Sequence, residues 1–235
     1  ALAAEGCDVM LTGRDQKALE EVAGKIRAMG RRAAISVLDL REPGAAEKLI
    51  EQVKRELGGL DILVNNAGAT KRGDFLALTD DDWADGYALK MFGHVRLARA
   101  AWPLLKERRG SLIAIGGTGG RKPTAEFTIG ASVNAAVAAF SKCLADRGKE
   151  DGVQVNCIHP SMVETDRLWR RIKAEMERTG LPEDKARAEM CKGFGITRFG
   201  KVDDVADLIT FLVSSRATWM HGATIDLDGG EIPTL

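Results

Sequence analysis

Net charge is the first thing this sequence lacks. Its 34 basic and 34 acidic side chains cancel and the pI is near 7. Charge therefore gives no reason to expect a nucleic acid or a membrane surface as partner. Long hydrophobic runs are also missing, and the longest apolar stretches read as too short and too interrupted to span a bilayer. The four cysteines, Cys7, Cys143, Cys157 and Cys191, are scattered, with no C-x-x-C pair and no metal-ligand spacing. That argues against a disulfide framework or a metal centre and fits free thiols in a reducing, cytoplasmic setting. The opening residues do not read as a signal peptide, and no internal repeat or low-complexity segment stands out. Tyrosine occurs once, as Tyr87. An initiator Met is absent too. The opening Ala1–Gly6 reads as the last turns of a helix stopped by glycine, which suggests a preceding segment.

What is present is a chain of 235 residues, 45% hydrophobic, enough for one domain over 1–235. Strand-length apolar runs alternate with amphipathic segments of helical length. The pattern predicts strands at 8–12, 32–37, 60–64, 111–115, 153–158 and 223–227. Helices are expected at 16–29, 45–57, 79–106, 125–147 and 202–214, with charged helical pieces across 164–200. The run L-D-I-L-V at 60–64 is nearly all apolar, as in a strand covered on both faces. The β-α alternation implies a doubly wound parallel α/β sheet. Ligands of such sheets bind beyond the carboxyl ends of the strands, so functional residues should follow Thr12, Val37, Val64, Ile115 and Ile158.

The segments there are distinctive. D-I-L-V-N-N-A-G at 61–68, L-D-L at 38–40, V-Q-V-N-C-I-H-P-S-M-V-E-T at 153–165 and H-G-A-T-I-D-L-D-G-G at 221–230 stand in order at fitting spacing. Together they resemble the short-chain dehydrogenase/reductase family over nearly the whole chain. The resemblance implies a Rossmann-type sheet and NAD(P)-dependent oxidoreductase chemistry on a carbonyl, alcohol or enoyl substrate. It places Asp39 and Leu40 at the adenine edge, Asn65, Ala67 and Gly68 beside the cofactor, Pro160 and Val163 along the nicotinamide, and Thr165 on its carboxamide or the phosphates. It makes 164–200 a substrate lid and implies a homodimer or homotetramer formed through the long helices. It also accounts for the start: the family's first strand and Gly-rich turn are not in this sequence, and that strand would lie between those at 8–12 and 60–64.

Where members that use NAD carry an acid at the end of the second strand, this sequence has Gly13 followed by Arg14. A guanidinium suits a 2′-phosphate, so NADP(H) is expected over NAD(H), although Asp15 beside it reads as a helix N-cap. The family's proton chemistry uses Asn, Ser, Tyr and Lys. The corresponding positions here are Lys90, Gly117, Gly130 and Asn134. Thr118 is the nearest hydroxyl to the Ser position. Phe127 stands seven residues before Asn134, where the family's enoyl-reductase branch places its Tyr. Asn and Lys have thus exchanged places. We expect Lys90 and Asn134 to keep one ammonium and one amide in the pocket, with Lys90 reaching the ribose or a substrate oxygen at a pKa lowered by burial. The competing reading is a Lys90 that snorkels to solvent. His94, His159, Arg121 and Lys122 are weaker candidates. Arg167, Arg170, Arg171 and Lys173 on the lid admit an acidic substrate or a merely solvated face. Three functions are open: an NADP(H)-dependent oxidoreductase with a rearranged site, a nucleotide-binding sensor or partner subunit, and a non-redox lyase or isomerase.

Overall fold

Among the described residues, runs of aliphatic residues too short for helices form six strands, all parallel to their neighbours. The computed structural model describes residues 1–233. In chain order the elements are β1 (Val9–Gly13), α1 (Gln16–Ala28), β2 (Ala33–Val37), α2 (Ala45–Leu57), β3 (Ile62–Asn65), α3 (Asp80–Gly86), α4 (Phe92–Arg108), β4 (Ser111–Ile115), α5 (Thr128–Asp151), β5 (Gln154–Pro160), α6 (Asp166–Thr179), α7 (Glu183–Phe194), α8 (Val202–Leu212) and β6 (Thr224–Leu227). The expected doubly wound α/β order is present, with most boundaries within a few residues.

Local chemistry explains the helix starts. Asp15 caps α1 by accepting from the Ala18 amide at 3.1 Å. Thr79 and Asp82 form a reciprocal capping box at the start of α3. Ala1–Cys7 is a single turn, with the Cys7 amide bonded to the Leu2 carbonyl at 3.0 Å and Gly6 at φ 94°.

The strands fall into two ladders, β1-β2 and β3-β4-β5-β6. No ladder joins β1 to β3 among the described residues. β4, flanked on both sides, is buried along its length, whereas every residue of β1 is only partly buried. The main core lies between β4, β5, α4 and α5, built from Ala98, Leu105, Leu112, Val133, Val137 and Val155 among others. A second cluster on the opposite face packs Ile113, Ile115 and Ile158 against Leu212 of α8.

Two expectations need correction. The helix foreseen over 79–106 is broken by a wider π-helical turn at Tyr87–Met91. The segment Ala125–Asp151 is long and apolar enough to cross a membrane by length and composition, contrary to the sequence reading. Its residues Ile129, Val133 and Val137 are fully buried in the core with β4 and β5.

Candidate functional site

Because the strands are parallel and in register, with Asn65 beside Ala114 and Ile115 beside Ile158, their carboxyl ends open onto one edge. Gly13, Asn65, Gly116, Gly117 and Pro160 end or follow their strands there. Lys90 enters from the π-helical turn. Such a turn carries one extra residue and re-aims the side chains within it.

Lys90 does not snorkel to solvent. Its Nζ donates to Asn134 Oδ1 at 2.6 Å and to the Gly116 carbonyl at 2.7 Å. The side chain passes so close to Gly68 that a Cβ there would lie 2.8 Å from Lys90 Cδ. Burial lowers the Lys90 pKa to about 8, and the positive charge of Arg167 pushes the same way. An ammonium has three N–H donors, and the protein takes two of them. Asn134, on α5, is itself buried. Lys90 and Asn134 therefore meet across α5 and the π-helical turn, tied to the loop that follows β4.

Gly117 and Gly130, the positions matched to the family's Ser and Tyr in the sequence reading, are closely covered. A Cβ on Gly117 would lie 2.8 Å from Asn134 Nδ2, so the amide occupies the room a serine would need. A Cβ on Gly130 would lie 2.0 Å from Phe127 Cζ, so the phenyl ring stands over the position matched to the tyrosine. Thr118 is buried. His159 Nδ1 is 2.6 Å from the Gly117 carbonyl, and burial lowers its pKa. It orients the loop after β4 beside the contact that Lys90 makes with Gly116. His94 is buried with neither ring nitrogen bonded among the described residues. Burial, aided by the charge of Lys90, pushes its pKa to about 3, which removes it as a proton donor near neutral pH. Burial raises the Cys157 thiol to about 11 and leaves it unreactive.

Toward β1 and β2, Arg14 is largely exposed and its Nη1 lies 3.7 Å from Asp39 Oδ2. Asp39 also accepts from the Arg41 amide at 2.9 Å and from Arg41 Nη1 at 3.3 Å. These bonds, the amide foremost, hold its carboxyl below the usual range. Arg41 is anchored in turn by Asp85 at 2.6 Å. Leu40 is buried. Asn65 Nδ2 donates to the His94 carbonyl at 3.3 Å, while Asn65 Oδ1 is buried and unbonded among the described residues. Val163 bridges Gly200, and Thr165 starts α6 with its hydroxyl turned back to the Val163 carbonyl at 3.3 Å.

Arg167 Nη2 reaches across to the Gly68 carbonyl at 3.0 Å, which brings the 164–200 segment over the site. Arg121 is drawn away by Asp226 at 2.9 Å, and Lys122 pairs with Glu231 at 3.7 Å. Arg72 escaped the sequence reading. Its guanidinium carbon lies 3.9 Å from the centre of the Phe127 ring. A pair of basic residues in the loop K-R-G-D at 71–74 carries no periodic signal to mark one of them. Among the described residues, no group of three or more His, Cys, Asp or Glu gathers as metal ligands.

Comparison with known proteins bears on the family and the fold. The family model described as enoyl-(acyl carrier protein) reductase matches residues 1–231. The 3-oxoacyl-(acyl-carrier-protein) reductase FabG of Escherichia coli K12 is 30% identical over 97% of this chain and 88% of its own. L-sorbose reductase from Gluconobacter frateurii, solved with NADPH and L-sorbose, superposes with a TM-score of 0.94 at 30% identity, covering 99% of this chain and 90% of that one. An NADPH-bound short-chain oxidoreductase of Pseudomonas aeruginosa PAO1, described as containing an atypical catalytic center, superposes at 0.88 with 27% identity, over 100% and 93% of the two chains. The chain belongs to the short-chain dehydrogenase/reductase family of NAD(P)-dependent oxidoreductases.

Proposed function

We propose that this protein is an NADP(H)-dependent oxidoreductase whose Lys90–Asn134 pair performs the polar work done elsewhere in the family by Tyr and Lys. The observation that carries the reading is the Lys90 ammonium, fixed by Asn134 and Gly116 at the carboxyl edge of the sheet with one N–H donor left over. The residues suit a dinucleotide. Gly13 and Ala67 carry little or no side chain to keep a ligand from the backbone, and the buried Asn65 Oδ1 has an unused acceptor. Gly13, Arg14, Asp39 and Leu40 would hold the adenosine end, and Pro160, Val163 and Thr165 the nicotinamide end. When bound, the cofactor supplies or accepts the hydride.

Lys90 then has two roles to fill at Nζ. Its positive charge stabilises negative charge that develops on a substrate oxygen, and it releases a proton to that oxygen more readily than an unperturbed lysine would. Asn134 holds the ammonium in place. Phe127 limits the pocket and gives no proton. Two reported complexes of family relatives with NADPH support the cofactor preference, as does Arg14, whose pairing with Asp39 is long enough to yield to a phosphate. We place the protein in the cytoplasm, as a homodimer or homotetramer acting on a small molecule.

A sensor or partner subunit without redox activity is favoured by one observation, the phenyl ring over Gly130 where the family's hydroxyl would stand. Titration with NADPH and NADH, followed by a carbonyl and enoyl substrate screen, separates the readings. Tight NADPH binding with consumption of the reduced cofactor upholds the proposal. Binding without any turnover gives the sensor, and turnover without net cofactor change gives a lyase or isomerase. Lys90→Met should cut turnover by about 100-fold or more, the range expected for a lost proton-transfer group. Unchanged turnover and cofactor affinity in that variant would sink the role of Lys90.

A further inference from the structure

Two arginines compete for one carboxylate where β1 and β2 end. Gly13 and Val37 are register partners there, so Arg14 and the loop that carries Asp39 leave the sheet side by side. Arg14 Nη1 approaches Asp39 Oδ2 only to 3.7 Å, and its guanidinium makes no other polar contact among the described residues. Asp39 is held more closely by Arg41. Its Oδ1 accepts from the Arg41 amide at 2.9 Å, and both of its oxygens lie 3.3 Å from Arg41 Nη1.

Arg41 can hold Asp39 because it is itself fixed. Its Nε and Nη2 donate to the two carboxylate oxygens of Asp85 at 2.6 and 3.2 Å, the paired geometry that suits a guanidinium. That leaves Nη1 to face Asp39. The main chain is pinned as well. Arg96 Nη1, on α4, donates to the Arg41 carbonyl at 3.1 Å, and Leu40 packs in a buried cluster with Leu97 of the same helix. The Arg41 side chain is 20% exposed and that of Arg14 68%, so one guanidinium is built into the wall while the other stands open.

Without Arg41, Arg14 is the one cation left within reach of Asp39 among the described residues. The carboxylate would then close from 3.7 Å to a direct pair with it. Such a pair fills the N–H fork that a phosphate needs and sets a like charge beside that phosphate.

We infer that Arg41 determines cofactor specificity: by holding Asp39 it keeps Arg14 free for the 2′-phosphate of NADPH. The inference rests on the NADP(H) reading above and extends it to a positioning residue that acts through Asp39.

The test is binding alone, by calorimetry with NADPH and NADH across a double-mutant cycle. The quantity read is the NADH Kd divided by the NADPH Kd, in which contacts common to both cofactors cancel. The wild-type ratio should be about tenfold or more, and Arg41→Met should lower it about fivefold or more. Asp39→Asn removes the competing charge. It should restore the ratio in the Arg41→Met background and change it by less than about twofold in the wild type. Thermal melts check that each variant is folded, and Arg41→Gln takes the place of Arg41→Met if the latter is not. An equal effect of Asp39→Asn in both backgrounds would make Arg41 a distant positive charge only, and overturns the inference. So does a ratio that Arg41→Met leaves unchanged, or a wild-type protein with no preference for NADPH. If the wild-type protein binds neither cofactor, adenosine 2′,5′-bisphosphate and AMP replace NADPH and NADH. A preference for the bisphosphate that Arg41→Met abolishes and Asp39→Asn restores upholds the inference while the oxidoreductase reading fails. No binding or no preference overturns it.

Discussion

Lys90 concentrates the residue-scale chemistry. An ammonium enclosed by protein loses hydration, and the two oxygens that face it replace only part of that loss. With the pKa brought down to about 8, the charged form dominates at neutral pH and disappears above it. Reduction that uses the Lys90 proton should be flat below pH 8 and fall about tenfold per unit above it, as read from kcat/KM profiles. A profile flat to pH 10 would remove Lys90 from the proton path. His94 governs the acid side of stability. Its folded pKa, about 3, lies below the unfolded value near 6.5. The unfolded chain therefore binds the proton first, and stability is lost as pH falls below about 6.5. This one group contributes a slope of up to about 1.4 kcal/mol per pH unit. His94→Met should shrink the drop in Tm between pH 7 and 5. Gly117→Ser tests the packing logic: its Cβ has only 2.8 Å to Asn134 Nδ2, so reinstating the family's serine should displace the amide and lower activity.

At the scale of elements, the strands and most helices are legible because their signals are local. The T-D-D-D cap of α3, the Asp15 cap of α1 and the apolar run of β3 are written within a few residues each. The π-helical turn at Tyr87–Met91 is not, because apolar periodicity continues through it. Packing fixes it instead. Gly86 ends α3 against Ile129 of α5, and a Cβ at 86 would lie 2.5 Å from Ile129 Cγ2. Gly86→Ala should therefore lower stability by about 1–3 kcal/mol, a Tm loss of several degrees. Ile129→Ala, which removes the clashing methyl, should recover part of that loss in the double variant. Additive losses in the pair would show that the two positions do not meet in solution.

For the whole molecule, the common carboxyl edge of the parallel strands is where the proposed nucleotide lies, and in that proposal Arg14 bears on which one. Arg14→Ala should weaken NADPH binding about tenfold or more and leave NADH nearly unchanged, because only the former carries a 2′-phosphate for a guanidinium to hold. Equal losses for both cofactors would assign Arg14 a structural role through Asp39. The sheet is divided between β1 and β3, and the half-exposed β1 contrasts with the enclosed β4. Exposed apolar side chains, including Phe92 on α4 and Trp219 before β6, give an assembly through these elements something to bury. Sedimentation that reports a monomer at micromolar concentration would contradict the dimer or tetramer proposed above.

The sequence by itself determined the alternation of strands and helices, the parallel sheet and the family, since each is carried by residue order and short-range pattern. Tertiary structure decided that Lys90 and Asn134 meet. Only the approach of the π-helical turn to α5 and to the loop after β4 brings Lys90 onto Asn134 and Gly116. Only the fold sets Arg72 over Phe127. These contacts join residues far apart in the chain, and their strength depends on burial, which no local pattern encodes.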